Sequence, residues 1–197
     1  MNTSFLPPGG LALLTDDRSA QQDQQARQAR QAMRERIHAE REARPPALRD
    51  ADAWGLAAVA LEQPEIASAR CVAAYVSTPA APGTAPLLRA LRAGGVRVLL
   101  PVLSDDGHLT WSEGLDGAEV AIVPALAVDT LGNRLGHGTD LYDRVVEFLD
   151  PTVPLFAAVH ETEVLDAAVE PVPVGSRDRP VDAVLTPRRC LRLPSRR

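Results

Sequence analysis

The residues best suited to chemistry in this 197-residue chain lie between Val123 and Arg144, VPALAVDTLGNRLGHGTDLYDR. An apolar strand runs into a glycine-rich turn and then into a helix expected to start near Leu141. Glycines let a backbone approach an anion closely, and the amides at a helix N-terminus add donors and the positive end of a dipole. Arg134 would add a fixed cation. The order suits phosphate binding, although Gly136 and Gly138 by themselves fit an ordinary turn equally well. Far upstream, Arg30 and Arg34 stand four apart, a spacing that puts both guanidinium groups on one helix face and within reach of one anion. A solvated polar face is the competing reading, because Arg27, Arg36, Arg41 and Arg44 make the whole segment Arg-rich.

The elements that must position these residues follow from the apolar pattern. Residues 1–16 mix Pro, Gly and small side chains and are expected to form a disordered tail, with a second short tail at 193–197 and one domain over 17–192. Asp17 to Arg44 is rich in strong helix formers and is stopped by Pro45-Pro46, and a second helix is expected from Ala47 to Leu61, interrupted by Gly55. After Ala69 come short apolar runs: Cys71–Val76, Val96–Leu100, Val120–Val123, Leu155–Val159 and Asp182–Leu185. These read as buried strands. Between the first two, Thr84 is placed to cap a helix, Pro86 suits its first turn, and Gly94-Gly95 ends it. Strand, helix, strand is a crossover unit, so the fold class is α/β: a mostly parallel sheet with helices on both faces and the N-terminal helices packed alongside.

Composition narrows the setting. Two cysteines in the whole chain exclude a disulfide framework, and no apolar run approaches the roughly 18 to 20 residues of a membrane span. A net charge of −5 argues against a phosphate-tracking nucleic-acid surface. A cytoplasmic monomer binding a small molecule, with neither nucleic acid nor membrane as partner, is therefore expected. His38 and His108 have no partner at metal-site spacing, His137 reads as a solvent-facing loop residue or a phosphate contact, Trp54 and Trp111 read as packing residues, and Cys71 as a small hydrophobe.

Pro124 to Asp129, Gly132, Arg134-Leu135-Gly136, Gly138 and Tyr142-Asp143-Arg144 closely resemble the signature of the 5-formyltetrahydrofolate cyclo-ligase family. The resemblance extends upstream to Gly95-Val-Arg-Val-Leu-Leu-Pro101-Val102 and downstream to His160-Glu161 and the run from Arg177 to Pro187, covering most of the chain after Arg27. It implies an ATP-dependent ring closure. The formyl oxygen of 5-formyltetrahydrofolate attacks the terminal phosphate of ATP, a folate nitrogen closes the ring on the activated imidate phosphate, and 5,10-methenyltetrahydrofolate, ADP and phosphate leave. Such chemistry asks for positioning and charge neutralisation rather than a protein nucleophile.

By resemblance, Arg134, Leu135, Gly136, His137, Gly138, Thr139, Asp140, Leu141 and Tyr142 would wrap the triphosphate. Arg30-Gln-Ala-Met-Arg34 is similar to the family's Lys-x-x-Leu-Arg element that reaches ATP. Arg134 and Tyr142 would be catalytic, Tyr142 would also flank the folate, and Asp143 and Asp178 would hold magnesium, whose preference is for hard carboxylate oxygens.

Four positions depart from the family. Asp140 replaces a glycine and can compete with phosphate for the helix amides. Ala81 replaces a glutamate that contacts the folate ring, Arg177 replaces a histidine, and the stretch Ser112–Glu119 is shorter than the pocket-lining segment usual there. An active ATP-dependent cyclo-ligase is the leading expectation. A catalytically impaired paralogue that binds nucleotide, folate or a protein partner is the alternative, and a dinucleotide-binding domain ranks last because the glycines do not follow the first strand.

Overall fold

The computed structural model describes residues 10–103, 109–111, 114–138, 142, 146, 149–173 and 179–194. Its helices are α1 (Gly10–Glu42), α2 (Pro46–Leu61), α3 (Pro64–Ala67) and α4 (Ala85–Ala93). The strands are β1 (Cys71–Ala73), β2 (Arg97–Leu99), β3 (Pro101–Leu103), β4 (Leu109–Trp111), β5 (Val120–Pro124), β6 (Ala127–Asp129), β7 (Arg134–Leu135), β8 (Leu155–Ala158), β9 (Val164–Leu165), β10 (Ala183–Leu185) and β11 (Cys190–Arg192).

All five expected strands form, four of them shortened and β5 one residue longer than expected, and with the unexpected edge strand β11 they build the central sheet in the order β11-β10-β8-β5-β1-β2. Every pairing is parallel except that of the edge strand β11 with β10. β5 is buried along its whole length, as a near-continuous apolar run between two parallel neighbours must be. Side chains alternate across the sheet. Val72, Val120, Ile122, Phe156 and Leu185 meet Leu56 and Ala60 of α2 and Leu87, Leu88 and Leu91 of α4 on one face. Ala73, Ala121, Val123, Leu155 and Val184 meet Val146 and Leu149 on the other, with Trp111 at the margin. A third cluster seats Met33 and Ile37 of α1 on Leu126, Ala127, Leu135 and Leu165 of the small sheet β7-β6-β9.

Several local features differ from expectation for identifiable reasons. α1 begins at Gly10 rather than Asp17, because Leu11-Ala-Leu-Leu14 are all good helix formers; residues 1–9 lie outside the described ones. Thr84 occupies the N-cap position of α4 but does not cap it. Its hydroxyl instead donates to the Tyr75 carbonyl at 2.9 Å and accepts from the Ser77 amide at 3.1 Å, closing the loop that follows β1. Gly55, costly within α2, is required there: a β-carbon would stand 2.4 Å from the Pro187 carbonyl oxygen. Trp54 is not a packing residue. It is 63% exposed, with the Arg89 guanidinium 5.7 Å from its ring centroid. Cys71 is buried in β1 and accepts a hydrogen bond from Nε of Arg97 at 3.3 Å, and both cysteines are free. No helix among the described residues is long and apolar enough to cross a membrane.

Candidate functional site

In open α/β sheets, ligands bind beyond the carboxyl ends of the strands, where the strand order reverses direction. Here that point lies between β1 and β5: the chain passes from β1 to β2 on one side and returns through β5 on the other. From the end of β5 the backbone continues through Ala125 and Leu126 into the β6–β7 hairpin, which delivers the glycine loop.

Asp129 builds the turn of that hairpin. Its Oδ1 accepts from the amides of Leu131 and Asn133 at 2.9 and 3.0 Å, and its Oδ2 accepts from Asn133 Nδ2 and the Val172 amide at 2.8 and 3.1 Å. Gly132 supplies the positive φ of +85° and a close approach to the Val181 carbonyl that a side chain would block. The turn sends Arg134 back antiparallel to Val128, buried, with Nη1 3.4 Å from the Pro124 carbonyl oxygen. Leu135 follows, and its side chain is a core residue, so only its backbone is placed to meet a ligand.

The loop beyond β7 is met by α1. Nε of Arg34 donates to the Gly136 carbonyl at 3.0 Å, and the Arg34 side chain lies against Gly138, whose φ is +86°. The inner face of α1 reads Arg30, Met33, Arg34, Ile37, Arg41, so the Arg30–Arg34 pair is turned toward the protein and is not a solvated face. His137 is half-buried and close to Arg41, Arg134 and Arg34, with its ring 6.1 Å from that of His38. It is therefore not the solvent-facing residue expected. Burial, then the charge of Arg41 and contributions from His38, Arg134 and Arg34, push its pKa down to about 4. Arg34 and Arg134 thus flank the glycine loop, with the Arg41 side chain close to His137.

Tyr142, half-buried and helical in backbone, stands edge-on to the buried ring of Tyr75 at 6.3 Å. Burial raises its phenol pKa, keeping it a neutral donor. Ala81, in the loop after β1, is buried and offers no polar group. Thr139, Asp140, Leu141, Asp143, Arg177 and Asp178 lie outside the described residues. Among the described residues no cluster of three or more His, Cys, Asp or Glu could hold a metal.

A buried polar network beside the loop escaped the sequence reading. Arg41 pairs with Glu163 through Nε at 2.6 Å and Nη2 at 2.8 Å, both side chains almost wholly buried, and Nη2 also donates to the Ala125 carbonyl at 2.7 Å. Asp52 receives Arg44 and lies 3.3 Å from Nδ1 of the buried His160. This network bolts α1 to the carboxyl ends of β5 and β8. Arg41 follows Ile37 by four and Arg34 by seven, a stripe that would have marked it as inward-facing.

The fold is an open, mostly parallel α/β sheet whose β5 leads into a hairpin and a glycine loop held by Arg34. The profile of the 5-formyltetrahydrofolate cyclo-ligase family matches residues 26–121 and 107–187, and the chain belongs to that family. It is 34% identical over 151 residues to the 5-formyltetrahydrofolate cyclo-ligase of Mycolicibacterium smegmatis, spanning 62% of this chain and 76% of that one. To the enzyme of the same name from Escherichia coli K12 it is 31% identical over 153 residues, 63% of this chain and 81% of the other. The NMR structure of Aquifex aeolicus 5,10-methenyltetrahydrofolate synthetase superposes with a TM-score of 0.70 at 19% identity, covering 85% and 94% of the two chains. The corresponding synthetase of Mycoplasma pneumoniae gives 0.67 at 17%, covering 80% and 98%. These two likenesses establish the shared fold.

Proposed function

We propose that this chain is an ATP-dependent 5-formyltetrahydrofolate cyclo-ligase, forming 5,10-methenyltetrahydrofolate, ADP and phosphate. The observation that carries the reading is the docking of Arg34 onto the glycine loop that follows Arg134: two guanidinium groups held at a loop whose backbone can approach a triphosphate. Arg34 is held in place by its bond to Gly136, so its charge is delivered without the entropy of ordering a free side chain. Arg30 extends the same face toward the outer phosphates. Arg134, anchored on the hairpin, faces the negative charge that grows as the terminal phosphate transfers to the formyl oxygen. Tyr142, kept neutral, donates a hydrogen bond and packs its ring against the folate. Asp143 and Asp178 would hold magnesium, which when bound neutralises phosphate charge.

A second reading, an impaired member of the family that binds its ligands without turning them over, is favoured by the buried Ala81, which has no acceptor to offer a pterin. One assay separates the two. Purified chain, 5-formyltetrahydrofolate, ATP and magnesium should give the methenyl product, followed by its absorbance, and omitting ATP should abolish the signal. Binding of both ligands without product would support the second reading.

A further inference from the structure

Arg41 and Glu163 meet as a fork, Nε donating to Oε1 at 2.6 Å and Nη2 to Oε2 at 2.8 Å, with side chains 2% and 3% exposed. Each is tied once more. Nη2 of Arg41 also donates to the Ala125 carbonyl at 2.7 Å, just beyond β5, and Oε2 of Glu163 accepts from the His160 amide at 2.7 Å, just beyond β8. Such a pair is a poor source of stability, because desolvating two charges offsets their attraction and apolar residues of similar volume commonly do as well. What a fork adds is direction: two parallel bonds fix the height and angle of a helix against its support. The apolar seat of α1 is small, Ile37 and the partly buried Met33 on Leu126, Ala127, Leu135 and Leu165, and apolar contact is not directional. Arg34 lies two turns before Arg41 on the same helix, roughly 10 Å along its axis. Its Nε reaches the Gly136 carbonyl at 3.0 Å, so a slip of one residue's rise, about 1.5 Å, would break that bond.

We propose that Arg41 and Glu163 are positioning residues for nucleotide binding: the pair locks the register of α1 so that Arg34 meets the glycine loop, and it acts through Arg34 rather than by touching the nucleotide. The proposal deepens the reading of that loop as the ATP site of a cyclo-ligase and rests on it. It also explains a charged pair where an apolar contact would hold the helix equally well.

The test replaces the pair in the full chain by apolar residues, Arg41→Met together with Glu163→Leu, and measures thermal unfolding and, by calorimetry, ATP affinity. The midpoint should hold or rise, while ATP affinity falls about tenfold, the size of one misplaced charge-assisted donor. A pair that only stabilised the fold would leave the affinity of such a variant unchanged. Made on an Arg34→Ala background, the same replacement should cost no further affinity, because residues that act as a unit are not additive. Arg41→Lys keeps the charge without the fork and should fold with a smaller loss of the same kind, so it decides the matter if the double variant folds poorly. Unchanged ATP affinity in the folded variants, or a loss that persists in full without Arg34, overturns the inference and leaves the cyclo-ligase reading standing. If the unaltered chain binds no ATP, both fall.

Discussion

Arg34 lies so close beneath Gly138 that a β-carbon on the glycine would stand 3.2 Å from both Nε and Cζ of the arginine. The contact joins a helix near the start of the chain to a loop a hundred residues later, and it makes Gly138 necessary twice over, by its positive φ and by the approach. Gly138→Ala should therefore cost about 1–2 kcal/mol of stability from the left-handed backbone alone, measurable in urea unfolding. It should also weaken ATP binding, because Arg34 must shift to make room.

Arg34→Ala tests the same contact from the other side. Losing one charge-assisted donor should lower nucleotide affinity by roughly ten- to a hundredfold in calorimetry. Unchanged affinity would mean that the arginine only braces the loop.

The legibility of the molecule in its sequence divides along physical lines. Four of the five strands are short β-branched and alanine runs buried throughout, and the fifth, β2 at the sheet edge, keeps Leu99 buried while Arg97 is exposed, so apolar content alone located them. Thr84 was misread because its hydroxyl has two possible uses, capping a helix or closing a loop, and only the tertiary approach of Tyr75 and Ser77 decides between them. Arg41 was hidden for a related reason: composition reports an Arg-rich helix, whereas its burial depends on Glu163, which lies 122 residues away and is brought there by β8. The strand-to-glycine-turn order was legible, but the roles of Asp129 and Gly132 as turn builders appear only once Val172 and Val181 are in place.

That hidden pair gives a large effect. Arg41→Ala leaves Glu163 buried without its cation, and breaking a buried pair from one side costs about 3–5 kcal/mol. A fall in thermal midpoint of several degrees is expected, far more than for Arg36→Ala, whose partners Glu40 and Glu170 are exposed.

The histidines set a pH dependence. His137 has a folded pKa of about 4 against 6.5, lowered first by burial and then by the arginines and His38 around it; His160 is also lowered, again chiefly by burial. In the unfolded chain both take up protons below about 6.5. The unfolded state thus binds more protons in that window, and stability should fall as pH drops from 6.5 toward 4, with the His137 contribution exhausted below 4. His137→Gln should flatten part of that slope in unfolding experiments. Bound ATP should raise the His137 pKa, visible in its ring resonances, because phosphate charge offsets that of the arginines.

Asp140→Gly should tighten ATP binding most in the absence of magnesium, since a carboxylate beside a triphosphate is repulsive unless a cation bridges them. The expectation rests on the position of Asp140 in the sequence. Weaker magnesium-dependent binding in the variant would identify Asp140 as a metal ligand instead.

The most direct test of the account is the stoichiometry of turnover. Purified chain given 5-formyltetrahydrofolate, magnesium and limiting ATP should release one ADP for each 5,10-methenyltetrahydrofolate formed, with no ADP above background when the folate is left out. ADP release that ignores the folate, or tight binding of both ligands with no methenyl product, would contradict it.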